Sequence, residues 1–288
     1  MIDEAELRRI ARRDGVDPML VDLDYVLGCF LGSLFRRDKG TALCFKGGTC
    51  LRKVYYADYR YSEDLDFTLT ERRSRDALEG FLWEAARDAT DEWMVDFGAR
   101  PLRVEVVDDE YGKESYQARL YYRGPLRRAH GDPRAIRVDV TTNEVMAFPV
   151  RDRAIIQLYS DAAGLDAVRV PSYDILETVA EKMRALGGQR RYAISRDVYD
   201  LAQLIDREGP DASRLAPALP AKWEVKGLVP GPVDLERLAA REEEFRRDWE
   251  QNLLRLLPPG APTNFDTAWR GAMALLAEVN RHWPDRAG

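Results

Sequence analysis

The stretch Leu43-Cys44-Phe45-Lys46-Gly47-Gly48-Thr49-Cys50-Leu51-Arg52-Lys53-Val54-Tyr55-Tyr56, followed after a short linker by Tyr61-Ser62-Glu63-Asp64-Leu65-Asp66-Phe67-Thr68-Leu69, decides the fold. Leu43 to Phe45 read as a buried strand, Gly47-Gly48 as a turn, and Thr49 as the opening of a helix that runs to about Tyr56. Such a turn aims unpaired backbone N–H groups and the positive end of a helix dipole at one point, which suits a polyphosphate. In the second part, Asp64 and Asp66 fall on one face of a strand while Leu65, Phe67 and Leu69 fall on the other. Two neighbouring carboxylates beside a buried core suit a magnesium ion.

Composition narrows the function classes. The 288 residues are 45% hydrophobic and 33% charged, enough for one large domain or two modest ones. A net charge of -6 provides no overall positive field, so any nucleic-acid contact falls to local basic clusters. Cys29, Cys44 and Cys50 lie in hydrophobic segments without metal-ligand spacing and read as reduced core residues of a cytoplasmic protein. The two histidines, His130 in a polar loop and His282 near the end, are too few for most zinc hydrolases and Ser-His-Asp enzymes. The N-terminus is charged, and the apolar run from Val26 to Phe35 is too short to span a bilayer.

Taken in order, residues 3–13 and Pro18–Phe35 carry helical patterns. Asp22 and Asp24 in the second read as complements of a helix dipole in its first turn. Beyond the Asp64 strand, Arg72–Met94 reads as a long helix, followed by strands at Leu102–Val107, Ser115–Tyr122 and Ala135–Thr141. Asp139 falls on the polar side of the last of these, beside Arg137. The pattern turns helical around Gly164–Pro171. Ser172 caps a helix to Ala185, and Ser195 caps another to Arg207, stopped by Gly209-Pro210. A Pro- and Gly-rich loop over 217–232 precedes a charged helix from Leu235 to Leu257 and a final helix over Asp266–Val279.

A glycine turn at a helix start, an Asp-x-Asp strand soon after it and a third Asp on a later strand are parts suited to two-metal nucleotidyl transfer. Phe45 to Tyr55 together with Tyr59 to Phe67 resembles the AbiEii/AbiGii family of nucleotidyltransferase toxins of type IV toxin-antitoxin and abortive-infection systems. Val21–Leu27, Glu181–Leu186 and Arg196–Leu201 resemble further parts of that family, as does the helical tail with Trp249 and Trp269. The resemblance implies an α+β fold: a polymerase-beta-like nucleotidyltransferase core, a mixed sheet flanked by helices, over residues 1–163. A helical C-terminal domain is expected over 164–288. It also implies a toxin with a cognate antitoxin, using an NTP, magnesium or manganese, and an RNA acceptor, the tRNA 3′ end.

Residue by residue, the resemblance implies that Gly47, Gly48 and Thr49 hold the triphosphate, Asp64 and Asp66 the metal, Lys182 a phosphate, and that Asp200 is an active-site carboxylate. Thr49 stands where many relatives have Ser and keeps the hydroxyl. The interval to Asp64 is long, which sets the Ala57–Glu63 loop differently over the nucleotide. Asp139 is a third candidate metal ligand, and Lys46, at a strand end, a candidate phosphate contact or an outward-facing side chain. Asp200 alternatively pairs with Arg196, one turn of helix apart. The acceptor is assigned to Arg127, Arg128 and Arg134, next to the Asp139 strand, while Arg190, Arg191 and Arg196 form either a second contact or a solvated turn. Two rival readings stand beside RNA transfer: nucleotidyl transfer to a protein hydroxyl, and a catalytically degenerate antiphage binding module.

Overall fold

The computed structural model describes residues 1–37, 42–108, 112–126, 133–188 and 192–284. Two units make up the chain. The first comprises Met1–Asn143, Val150–Tyr173 and Leu256–Ala261; the second comprises Glu144–Pro149, Asp174–Arg255 and Pro262–Gly288.

The first unit opens with α1 (Glu4–Asp14), which starts at Asp3, whose carboxylate accepts from the Glu6 N–H, and stops at Gly15 in the left-handed region. Helix α2 (Pro18–Arg36) begins with Pro18 in its first turn, where a missing N–H leaves no helical bond unmade, and Asp17 caps it. By length and composition α2 could cross a membrane, but nearly all of its side chains are buried in the core. Next come β1 (Leu43–Lys46) and α3 (Gly47–Cys50), which continues into a π-helical segment over Leu51–Tyr55. The helix therefore starts at the glycines themselves rather than at Thr49.

Strand β2 (Asp64–Leu69) follows, and then α4 (Arg75–Trp93), capped by Ser74, whose hydroxyl accepts from the Ala77 N–H. Strands β3 (Val104–Asp108), β4 (Glu114–Tyr122) and β5 (Arg134–Thr141) match the three expected ones within a residue or two at each end. Two more, β6 (Arg151–Ala154) and β7 (Arg169–Ser172), were not expected: the first is too polar and the second too short, with Pro171 inside it. Ser172 thus ends a strand instead of capping a helix. It is fully buried, and its hydroxyl donates to the Val170 carbonyl.

All seven strands form one mixed sheet in the order β3-β4-β5-β2-β1-β7-β6. β2 runs antiparallel to β1 and parallel to β5, and β7 pairs parallel with β1. One face supplies Phe45, Leu65, Phe67, Ile136, Val138 and Val140 to a core shared with α2 and α4. The alternate residues, Asp64, Asp66, Arg137 and Asp139 among them, line the opposite, polar face.

Asp22 and Asp24 lie past the first turn of α2 and face inward, so the dipole reading fails for both. Asp22 accepts from the Leu126 N–H. Asp24, 2% exposed, takes Arg52 Nε at 2.7 Å on one oxygen and Lys53 Nζ at 2.8 Å on the other, with the Tyr159 hydroxyl also at 2.8 Å. Arg52 also lies 3.7 Å from the Tyr61 ring centroid. These bonds fasten the π-helical turn to α2.

The second unit is helical. α5 (Ile175–Gly187) is capped by Asp174, which accepts from the Leu176 N–H. α6 (Ser195–Glu208) ends at Gly209 in the left-handed region. Ser195 is its first helical residue and not its cap: its N–H and hydroxyl both donate to Asp248. The Pro- and Gly-rich stretch contains short helices, α7 (Ala212–Leu215), a 3-10 turn and α8 (Leu219–Glu224). The charged helix expected over 235–257 is broken into α9 (Leu235–Ala239), α10 (Glu242–Asp248) and a π segment over Trp249–Leu253. α11 (Phe265–Arg281), capped by Asn264, closes the unit. Inside it, Lys222 is fully buried against Glu177, whose other carboxylate oxygen accepts from the Ala147 and Phe148 N–H groups at 2.8 Å.

Burial alone would raise the Asp24 pKa, but the charges of Arg52 and Lys53 outweigh it and hold the carboxyl below the ordinary range. Its contribution to stability is therefore present above the unfolded value near about 4 and is lost as pH falls through the folded value. Asp24→Asn is expected to cost about 3–5 kcal/mol at neutral pH, because it strands two buried cations. Chemical denaturation of parent and variant should show that gap narrowing below about pH 4; a gap independent of pH would remove the ion pair as its cause.

Candidate active site

The glycine turn and the carboxylate strand meet through an absence of side chain. Gly47 has φ 79°, a conformation that favours glycine, and a Cβ on it would overlap the Asp66 carboxylate. A Cβ on Gly48 would overlap the guanidinium of Arg60, a side chain 2% exposed. The Thr49 hydroxyl, fully buried, donates to the backbone carbonyl of Asp64. Its role in this geometry is to tie the turn to the start of β2; what faces outward at the turn is backbone.

Lys46 pairs in register with Asp66, and its ammonium lies 5.5 Å from the Tyr173 ring centroid. It is 9% exposed, so of the two sequence readings the outward-facing one fails.

Across the β2–β5 pairing, Asp64 stands opposite Arg137 and Asp66 opposite Asp139. Arg137 bridges the carboxylates: one terminal nitrogen lies 3.0 Å from Asp64 Oδ2, and its Nε lies 2.9 Å from Asp139 Oδ2. Burial opposes the Arg137 charge, yet Asp139, Asp64 and Asp66 together raise its pKa above the ordinary value. The other Asp139 oxygen accepts from Gln117 Nε2 at 2.8 Å. Both Asp139 oxygens are therefore engaged, and among the described residues no three His, Cys, Asp or Glu side chains converge as a closed metal cage.

The structure thus brings Asp64 and Asp66 together and ties Asp139 to Arg137 and Gln117. Two carboxylates nonetheless suit magnesium or manganese, which commonly take one or two protein oxygens and complete their octahedron with phosphate and water. The glycine turn fits that arrangement in that it brings backbone N–H groups up to Asp66, whose carboxylate takes the space a Gly47 side chain would fill.

Lys182, in the second unit, donates to Asp197 Oδ1 at 2.6 Å and lies 2.8 Å from Asp200 Oδ2. Asp200 is fully buried and Asp197 4% exposed. The partner of Asp200 is thus a lysine on the preceding helix. Of the acceptor candidates, Arg127 and Arg128 lie outside the described residues, as do Arg190, Arg191 and His130. Arg134 donates to the Met19 carbonyl and pairs with Asp22 at 3.7 Å, which commits it to α2. Arg60, Gln117 and Asp197 were not singled out from sequence for the places they hold here. Arg137 was legible as a surface partner for Asp139, and the two do pair, but its bond to Asp64 was not.

Residues 29–271 match the model of the family described as nucleotidyl transferase AbiEii toxin, type IV TA system. The chain belongs to this family of nucleotidyltransferase toxins. Among solved structures it is similar to MenT4, a nucleotidyltransferase toxin from Mycobacterium tuberculosis H37Rv, with a TM-score of 0.66 and 23% identity over 96% of this chain and 90% of that one. At that identity the likeness concerns the fold, an α+β arrangement around a mixed sheet. Among curated proteins none matches the sequence.

Gly47→Ala in this AbiEii-family chain is expected to push the turn off Asp66 and lower nucleotidyl transfer by about 100-fold, the scale of an ångström-level misplacement. Labelled-nucleotide transfer measured beside a thermal melt separates this from unfolding. Lys182→Ala should cost about 3–5 kcal/mol, since it leaves Asp197 and Asp200 buried without their shared cation. Adding Asp197→Asn should restore part of that stability without restoring transfer; activity that returned with stability would make Lys182 a structural clamp.

Proposed function

We propose that this toxin moves a nucleoside monophosphate from an NTP to the 3′ end of an RNA, with tRNA the acceptor, using magnesium or manganese. The observation that carries the reading is the close approach of the Gly47 turn to the Asp66 carboxylate, which sets the backbone of the glycine turn beside the Asp64 and Asp66 oxygen donors. Asp64 and Asp66 are the proposed metal ligands and catalytic carboxylates; Gly47, Gly48 and the Thr49 backbone flank the triphosphate, with Lys46 supplying positive charge beside Asp66. A bound divalent ion supplies charge neutralisation for the triphosphate. In the reaction the acceptor hydroxyl oxygen forms a bond to the α-phosphorus, the α–β bridging P–O bond breaks, pyrophosphate leaves with the electron pair, and the hydroxyl proton passes to a carboxylate or to solvent.

Asp139 is assigned as the third carboxylate of the site, held in reserve by Arg137, which is free to exchange its carboxylate partners for phosphate oxygens when nucleotide arrives. In the second unit we assign Lys182 to phosphate and Asp200 to setting its position. The free, buried cysteines suit a reducing cytoplasm, and a type IV toxin calls for a cognate antitoxin.

The decisive experiment incubates the protein with each labelled NTP, magnesium and total cellular RNA. Label on RNA that disappears in Asp64→Ala and Asp66→Ala is the expected result, with both variants retaining the parent's melting temperature within a few degrees, because the two carboxylates lie on the polar face of the sheet, outside the hydrophobic core. Label on protein would favour transfer to a hydroxyl side chain. Full activity in either variant at saturating magnesium would overturn the metal assignment.

A further inference from the structure

With Arg134 committed to α2, the polar face of the sheet offers a different place for the acceptor. Arg119 on β4 stands in register opposite Arg137 on β5, and Arg137 stands opposite Asp64 on β2. Arg103 immediately precedes Val104, whose partner is Ala118, so the antiparallel register sets Arg103 beside Arg119 at the sheet edge. Three arginines thus form a row across the strands that ends on a proposed metal carboxylate. At about 4.8 Å per strand the row is about 14 Å long.

Arg137 is engaged by Asp64 and Asp139, whereas Arg119 and Arg103 are exposed and have neither an ion pair nor a hydrogen bond among the described residues. Like charges directly opposite one another across strands are unfavourable. The arrangement is understandable where an anion completes it. On one side the row is bordered by Tyr121, a half-buried residue whose ring lies 5.0 Å from the Arg100 guanidinium. On the other side it is bordered by the row of Glu105, Gln117, Asp139 and Asp66. Acidic residues on that flank confine a polyanion to the arginines.

We infer that the Arg103–Arg119 row, with Tyr121 and Arg100, is the docking track for the single-stranded end of the RNA acceptor. Its phosphodiesters lie on the arginines, and a base stacks at Tyr121. Positive charge interleaved with an aromatic ring is the chemistry by which single strands are held without sequence reading. A row ending at Asp64 delivers the 3′ hydroxyl to the carboxylates. The inference rests on the RNA-acceptor reading above.

The test is the double variant Arg103→Ala/Arg119→Ala, assayed for transfer of labelled nucleotide to purified tRNA and for binding of a fluorescent single-stranded oligoribonucleotide over a salt series. The KM for RNA should rise about tenfold, and the slope of log affinity against log salt should fall by about 1.4 to 1.8, for two lost phosphate contacts. NTP affinity and kcat at saturating RNA should stay within about twofold, since neither residue touches the carboxylates. Arg119→Lys should keep the salt slope. If the double variant melts lower than the parent, Arg103→Ala alone carries the test with half the slope change.

A parent that labels RNA and a variant with the same KM and slope would overturn the track while leaving the function standing. An equal loss of NTP affinity would reassign the arginines to the nucleotide and also overturn it. A parent that neither binds nor labels RNA would overturn the acceptor reading and the track together.

Discussion

Everything at the polar face depends on how closely the backbone at Gly47 approaches the carboxylate of Asp66. The approach is possible because residue 47 has no Cβ and takes a positive φ, and it is maintained because Thr49 bonds the Asp64 carbonyl two residues before Asp66. Turn and strand therefore move as one piece. The same constraint explains the π-helical continuation. The chain leaves the turn into a segment where consecutive Arg52 and Lys53 both reach the Asp24 carboxylate, which anchors the turn from behind.

Charge is distributed through the first unit in two opposite ways. Behind the turn, one buried carboxylate serves two buried cations, an arrangement that costs desolvation and supplies rigidity. On the open face, Asp64 and Asp139 share one half-exposed arginine, whose charge Asp66 also favours. The neighbouring Arg119 and Arg103 have no anionic partner among the described residues. In the proposed reaction a metal-bound triphosphate and a polynucleotide would meet these groups, with Arg137 positioned between the two sets.

The second unit repeats the first motif with the signs reversed. Lys182 is shared by Asp197 and Asp200, so one cation holds two buried carboxylates on a single helical turn. Asp200 looked from sequence like a partner for Arg196 because the two lie one turn apart on α6. The lysine on α5 pairs with both because the carboxylates are fully or nearly fully buried, within reach of an ammonium brought by a neighbouring helix.

The sequence by itself determined the local pieces: the Gly47-Gly48 turn, the two-residue alternation that puts Asp64 and Asp66 on one face, the strands through Thr141, most helix stops, and the family. These follow from periodicity and backbone chemistry within a few residues, and local interactions suffice to express them. Tertiary structure alone decided which distant residues share a face. Parallel pairing of β2 with β5 set Arg137 between Asp64 and Asp139, and packing of α2 turned Asp24 from a helix acid into a buried anchor while absorbing Arg134. The strands β6 and β7 were hidden for a related reason, since Arg151–Ala154 and Arg169–Ser172 become strands by pairing with each other and, through β7, with β1. Register between strands far apart in the chain is set by how the core closes, and no local pattern encodes it.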